Sequence, residues 1–513
     1  MKGMLNRLAG AVDDRLNPIV VKELRQAVRG RFLAAVLLFF LAVQVVILGV
    51  FLLDGTGLDA IGGQGKGAEV FVAVVVVLLL ATMFCIPLFA GVRLAIERVG
   101  DGLDLLYIST LEPRRIIAGK LVASAIVVLL IFSACLPFLS FTYFLRGIDL
   151  LSVMVVLVLD FLVSLTAIMA MIFIACLPTS RWFKVLLGLG SVNGLLIAFG
   201  ATVAYSTQLP RMGVGSLLGS TDFWLQGGSF LVIDGLVLGL LFVLSTALIS
   251  PPVLNRALPV RLFLTFAWLV SGGLAVLAAA ATSDQEYLTL WMVLALGVAA
   301  VGILSAVSSR DQMSRRVARE IPRHPLGRVL AFPFWSCAAS GVAWSILLAM
   351  LTLLVASVAV SVLGFSGEAA DFLVGGSGFV AYVVAYSLTA LLLHRRLLAG
   401  RVPHRHTWVV ATFLATAGSI VPMLIAALMF PQDFFSKPGM AWMVLNPLSP
   451  FVAEVEDLSM AVGPAWAALM VVLAGTWFGR QMRSFKPPPP EPVPALDPPS
   501  LGDGGADAGR VLS

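Results

Sequence analysis

The chain has 513 residues, of which 59% are hydrophobic and 12% charged, and its mean hydropathy is +1.00. Soluble domains carry about 25% charged residues, so a soluble fold of this length would show large apolar patches to water; the composition instead fits a chain whose outer faces meet lipid. The net charge of +6 comes from bases that flank apolar runs and form no long basic tract, which excludes nucleic acid as the partner and reads as a membrane-orientation signal.

The N-terminal segment, 1–31, ends in NPIVVKELRQAVRGR at 17–31. Asn17 is placed to cap a helix that takes Pro18 in its first turn. At helical spacing Ile19 or Val20, Leu24 and Val28 share one side, while Lys22, Arg25 and Arg29 occupy another. That pattern predicts an amphipathic helix in the membrane interface, its bases facing lipid phosphates. About thirty polar and basic residues precede a first apolar run long enough to span, which is not the layout of a cleavable signal peptide.

Apolar runs long enough to cross a bilayer follow near 32–53, 69–92, 121–145, 150–177, 183–204 and 229–249, then near 262–282, 287–307, 336–365, 374–393, 408–430 and 459–479. The expected fold is therefore all-α, a polytopic membrane protein of about twelve transmembrane helices with an N-terminal interfacial elbow helix. The run ending at 365 is too long for one straight span, so Phe332-Pro333-Phe334-Trp335 is expected in the interface. Placing the N-terminus in the cytoplasm puts thirty of the 34 Lys and Arg residues on cytoplasmic segments. Only Lys66, Arg146, Arg211 and Lys437 fall on outer loops. Dropping one span would invert every later loop and destroy this bias, so both termini are expected inside a bacterial cytoplasmic (inner) membrane.

The expected organisation is 1–31, then 32–249 with six spans and a cytoplasmic loop at 93–120, then 250–479 with six more, then 480–513. The last segment, KPPPPEPVPALDPPS followed by Gly and Asp, has little to bury and reads as a disordered tail. Two outer connections are longer than the rest, Tyr205–Gly228 and Pro431–Leu458. No internal repeat is legible: a six-plus-six arrangement stays open, but residues 250–261 do not echo the N-terminal segment.

Residues 97–120, ERVGDGLDLLYISTLEPRRIIAGK, are unlike a minimal connector. They mix Glu97, Asp101, Asp104 and Glu112 with Arg98, Arg114, Arg115 and Lys120, and set Leu103, Leu105, Leu106, Tyr107 and Ile108 on the wet side of the membrane. Thr110 is a plausible cap for a new helix with Glu112 and Pro113 in its first turn. Apolar anchors with a charged rim suit docking against another protein.

The order of these features resembles the permease subunits of ABC-2-type ABC transporters. These begin with an elbow helix of the NP…KE…R kind, matched by Asn17, Pro18, Lys22, Glu23 and Arg25. After the second span they carry a loop of the form ER…GTLE-LL…TPLS…I..GK. Glu97-Arg98, Gly102-Leu103-Asp104-Leu105-Leu106, Thr110-Leu111, Arg115-Ile116-Ile117 and Gly119-Lys120 match it. Asp101-Gly102 stands where Gly-Thr is usual, and Leu111-Glu112-Pro113 where Pro-Leu-Ser is usual. LNPLSPFVAEVEDL at 445–458 is similar to the re-entrant segment that precedes the family's last helix. The main likeness covers 17–147, and family permeases often have six spans, so the additional helices depart from the pattern. The resemblance implies an ATP-driven exporter subunit that works with a second permease copy or paralogue, among membrane lipids, and with a separate ABC ATPase docking on the 97–120 loop.

ATP itself needs a GxxxxGK[ST] loop. Neither Gly65-Lys66 nor Gly119-Lys120 has the preceding Gly or the following Ser or Thr, so no cofactor is expected to bind directly and ATP acts through the partner. Asp160 and Asp234 are the only acids well inside predicted spans, and an intramembrane carboxylate is costly enough to be a functional candidate; a hydrogen-bonded structural role is the alternative. Cys85, Cys135, Cys176 and Cys337 lie in apolar runs without CxxC spacing, as packing residues do. His324, His394, His404 and His406 are expected on cytoplasmic loops, and the stretch Pro403–His406, which could bind metal but lacks Cys and nearby carboxylates, is expected to be a solvated basic flank. Two further function classes stay open: a membrane-embedded enzyme of lipid or polysaccharide synthesis, and an ion-coupled secondary transporter leaning on Asp160.

Overall fold

The structure, a computed structural model, describes residues 18–53, 66–99, 112–144, 148–178, 181–251, 253–311, 313–365, 367–429, 441–452 and 455–488. Among these residues the fold is helical, without strands. Twelve helices are long and apolar enough to cross a membrane: Arg31–Leu53, Gly67–Glu97, Pro113–Phe144, Leu150–Cys176, Val185–Met212, Thr221–Ile249, Ala257–Thr282, Glu286–Val307, Ala338–Leu363, Ala369–Leu398, His404–Met429 and Glu456–Ser484. The chain is thus a multi-pass α-helical membrane protein. Helices are what such runs must form, because lipid offers no partner for a backbone N–H or C=O.

Most spans exceed the apolar runs that predict them, since a helix of 32 residues such as Pro113–Phe144 is roughly 48 Å long against a hydrocarbon core of about 30 Å. Their polar ends stay helical. The expected outer loop Tyr205–Gly228 accordingly shrinks. The fifth helix continues to Met212, a short helix covers Val214–Leu217, and the sixth span begins at Thr221. Gly213, at φ 72°, makes the break, a conformation open to glycine at little steric cost. The 93–120 loop shrinks likewise, because the second span runs through Glu97 and the third begins at Pro113.

The helices form two cores. One is built from Ala27 to Ile249 around Phe71, Ile131, Ile168 and Met169. The other lies within 275–485, around Trp344, Trp335 and Trp477 with an adjoining cluster at Met292 and Ala356. The two halves meet chiefly through the sixth and seventh spans, where Phe263 lies against the backbone at Gly239; a Cβ there would sit 2.6 Å from the ring. A cleft of about 830 Å³ opens beside this contact. Phe242, Leu262 and Phe266 wall it, and Glu112, Arg114, Arg256 and Glu320 stand at its mouth.

Two segments that the sequence singles out lie just before spans in this frame. Phe332 and Trp335 are buried, 6% and 8% exposed, and pack edge-on to Phe485, just past the helix Glu456–Ser484. Trp335 also donates its indole N–H to the Val317 carbonyl at 3.2 Å. The ninth span then starts at Ala338, which explains why the apolar run looked too long. The 445–458 segment is folded into the bundle: turns at Ala441–Leu445 and Ser449–Phe451 precede Glu456–Ser484, and Tyr386 donates to the Leu445 carbonyl at 2.7 Å.

Candidate functional site

A helix covers Pro18–Arg29, and its buried positions are Ile19, Val20, Glu23 and Ala27. Lys22 and Arg25 are exposed, as the sequence pattern expects, but Val28 is 71% exposed and off the packing face. The reason for the rotation is a charge. Glu23 is turned inward against the third span, where Lys120 and Gly119 are buried.

Lys120 Nζ donates to Glu23 Oε1 at 2.7 Å and to Glu97 Oε2 at 2.7 Å. Arg93, one helical turn before Glu97, lies 3.4 Å from Glu23 Oε2 and 3.9 Å from Glu97 Oε1. Two acids and two bases close a compact neutral quartet, with Glu23 8% and Lys120 9% exposed. Removing one member of such a buried set strands a charge, at a cost of about 3–5 kcal/mol. The quartet therefore clamps three elements: the helix Pro18–Arg29, the end of the second span and the start of the third. Phe32 stacks on Phe89 with centroids 4.6 Å apart, and the Arg93 guanidinium lies 5.9 Å from the same Phe89 ring, adding an aromatic floor.

These are the two ends of the loop that the sequence singles out. Arg114 is exposed, and Arg115 pairs loosely with Glu112 at 3.8 Å. Gly102, Leu103, Asp104, Leu105, Leu106, Thr110 and Leu111 lie outside the described residues, as does Asn17. The structure thus brings Glu23, Glu97, Gly119 and Lys120 together. Sequence reasoning missed Arg93; its i,i+4 spacing to Glu97 is the one signal that could have found it. No local signal could have paired Glu23 with Lys120 across 97 positions.

The intramembrane acids are separate from this quartet. Asp160 is 1% exposed; Ser206 on the fifth span donates to its Oδ1 at 2.6 Å, and its Oδ2 has no hydrogen-bond partner among the described residues. Ser164, one turn on, donates 2.7 Å to the Asp160 carbonyl and lies 3.2 Å from the Thr82 hydroxyl. Thr82 sits in a π-helical turn, Ala81–Cys85, inside the second span, the kind of bulge that often marks a functional site. Asp234 is half-buried on the sixth span, beside Thr166 of the fourth.

In the second half, Asp311 receives Arg395 and the Gln481 amide. Gln481 Oε1 in turn accepts from the Ala339 backbone N–H at 2.9 Å, and the Arg395 guanidinium stands 4.9 Å from the Trp477 ring centre. Two histidines are tied here too. His394 is 6% exposed with its Nε2 2.8 Å from the Val402 carbonyl, and His404 Nε2 is 2.8 Å from the Ser309 carbonyl.

No family model, curated protein or solved structure matches this chain.

Proposed function

We propose that this chain is the membrane-spanning subunit of an ATP-driven exporter of the ABC-2 kind, set in a bacterial cytoplasmic membrane with both termini inside. A separate ATPase docks on residues 97–120 and supplies the energy. The observation that carries this reading is the buried quartet of Glu23, Arg93, Glu97 and Lys120. A loop that merely connected two spans would need no such fastening. Here any displacement of the loop by a partner is delivered at once to three helices, because the clamp resists opening by several kcal/mol. From there it passes into packed helices that have few continuous ways to deform.

Two apolar positions, Leu105 and Leu106, are the docking anchors, and such anchors dominate interfaces at about 2 kcal/mol or more each. Leu105→Asp and Leu106→Asp, coexpressed with the ATPase, should reach the membrane in normal amount and recover less ATPase on copurification than the unsubstituted chain. Arg114→Glu should weaken retention less, in a salt-dependent way. Normal recovery of the ATPase with both Leu variants would remove this loop as the coupling element. The chain purified alone should hydrolyse no ATP; robust hydrolysis free of contaminants would overturn the division of labour.

The orientation is tested separately. Reporter fusions after Lys120, Arg319 and Ser484 should report cytoplasm, and fusions at Gly63, Gly215 and Ser436 the opposite side. An outside signal at Arg319 would break the twelve-span arrangement. One observation favours a second reading, ion-coupled transport: the lone Oδ2 of Asp160 in the protein interior. Under it, Asp160→Asn would abolish gradient-driven flux, whereas under the ATP-driven reading the variant would still transport with ATP.

A further inference from the structure

The two halves of the chain have the same internal neighbours. In the first half the second span packs on the first, third, fourth and fifth; the fourth also takes the third, fifth and sixth; and the third touches the first and sixth. In the second half the eighth span packs on the seventh, ninth, tenth and eleventh; the tenth also takes the ninth, eleventh and twelfth; and the ninth touches the seventh and twelfth. Each pairing recurs six spans later. The agreement extends to the connections. The short helix Val214–Leu217, before the sixth span, packs on the fourth and fifth. The turns before the twelfth span pack on the tenth and eleventh. An even number of spans in each unit gives both the same sense across the membrane, the arrangement of a parallel repeat.

The counterpart of loop 97–120 is then the connection between the eighth and ninth spans, residues 308–337. It holds Arg310, Arg315, Arg316, Arg319, Arg323 and Arg328 and two short helices, Arg315–Arg319 and Pro325–Ala331. Its base is fastened as the first is. Asp311 is bound to the tenth and twelfth spans through Arg395 and Gln481, and Gln481 holds the start of the ninth at Ala339. Arg261 of the seventh span donates to the Pro333 carbonyl at 2.8 Å and to Ser340 at 3.0 Å. Beyond these tethers the loop leaves Leu326 70%, Val329 61% and Leu330 75% exposed, all on one short helix that also carries Arg328. Glu320 of this loop and Glu112 and Arg114 of the first border the same cleft.

We infer that the chain holds both halves of the transport unit, and that residues 308–337 are a second docking surface for another copy of the ATPase that docks on 97–120. This rests on the ATP-driven reading above. Both loops carry leucines together with arginines, though the first also holds Asp101 and Asp104, both leave fastened bases, and both fall on the same side of the membrane. A partner copy suited to the second loop presents an apolar pocket with an acidic rim, since the loop between Arg310 and Arg328 is strongly basic.

The test is the ratio of ATPase to chain in the purified complex, measured by native mass spectrometry. The full chain should retain two ATPase copies, and a Leu326→Asp, Leu330→Asp double variant one. Leu105→Asp with Leu106→Asp should also leave one, and the two pairs combined none. The copy that remains on each double variant reports that the chain is folded. A ratio unchanged by the Leu326 and Leu330 substitutions would overturn the second surface and leave that helix to the lipid headgroups. So would one ATPase per chain in a complex of two chains. Failure of the underlying reading looks different, since no ATPase would then accompany the unsubstituted chain.

Discussion

The bases of the two loops are fastened by different chemistry. At the first, four charged side chains converge with Glu23 and Lys120 nearly sealed from solvent. At the second, one carboxylate, Asp311, is shared among a guanidinium, an amide and the Trp477 indole N–H, and its side chain is 39% exposed. The first clamp recruits an extra helix, Pro18–Arg29, that has no counterpart among the described residues just before the seventh span, which begins at Ala257. The lesson is one of consequence. A buried ionic set holds its elements all-or-none, because a half-broken set leaves a bare charge in a dry place. A part-exposed hub can lose one contact to water and keep the rest.

The largest expected effect comes from breaking that contrast at its stronger end. Lys120→Met leaves Glu23 buried beside Arg93 alone, and should destabilise the chain by about 3–5 kcal/mol, read as a lowered melting temperature in detergent. Lys120→Arg, which keeps a positive charge beside Glu23 and Glu97, should recover part of the loss; no recovery would mean that the shape of the side chain, and not its charge, is the bond. Asp311→Asn should cost less, on the order of 1–2 kcal/mol, because the new amide still accepts from Gln481 and only the part-exposed pairing with Arg395 is lost. A loss equal to that of Lys120→Met would erase the distinction between the clamps. The smallest effect belongs to the exposed pair Glu112–Arg115, 69% and 67% exposed. Arg115→Ala should shift stability by no more than about 0.5 kcal/mol, an effect that should vanish in high salt, so a large shift there would mean that a fourth element joins the first clamp.

How much of this was legible beforehand differs element by element. The spans were, because a run such as VFVAVVVVLLL at 70–80 announces its solvent whatever it packs against. Their ends were not. Tyr205–Met212 and Thr221–Gly228 looked like loop by hydropathy, yet helices persist beyond the lipid wherever nothing stops them, and the stop at Gly213 is a backbone property. In the candidate site, Glu97 and Lys120 were picked out as residues of the loop motif and Glu23 as one of the elbow helix, but nothing in the sequence said that they meet. Asp160 was singled out as costly, while Ser206, the group that meets it, is 46 positions away and indistinguishable from other intramembrane serines.

What the sequence determined by itself is where twelve segments long and apolar enough to span lie and how the bases cluster between them. Both are sums over residues close together in the chain, and a free energy of transfer adds up locally. What only the tertiary structure decided is which helices touch: the turning of Glu23 onto Lys120, the binding of Asp311 across the tenth and twelfth spans, and the recurrence of one packing pattern in two halves whose residues do not echo each other. In lipid, every outward face is about equally apolar, so no hydrophobic pattern tells a helix which neighbour to choose. The choice falls to shape and to a few buried polar contacts, and these exist only once the helices are side by side.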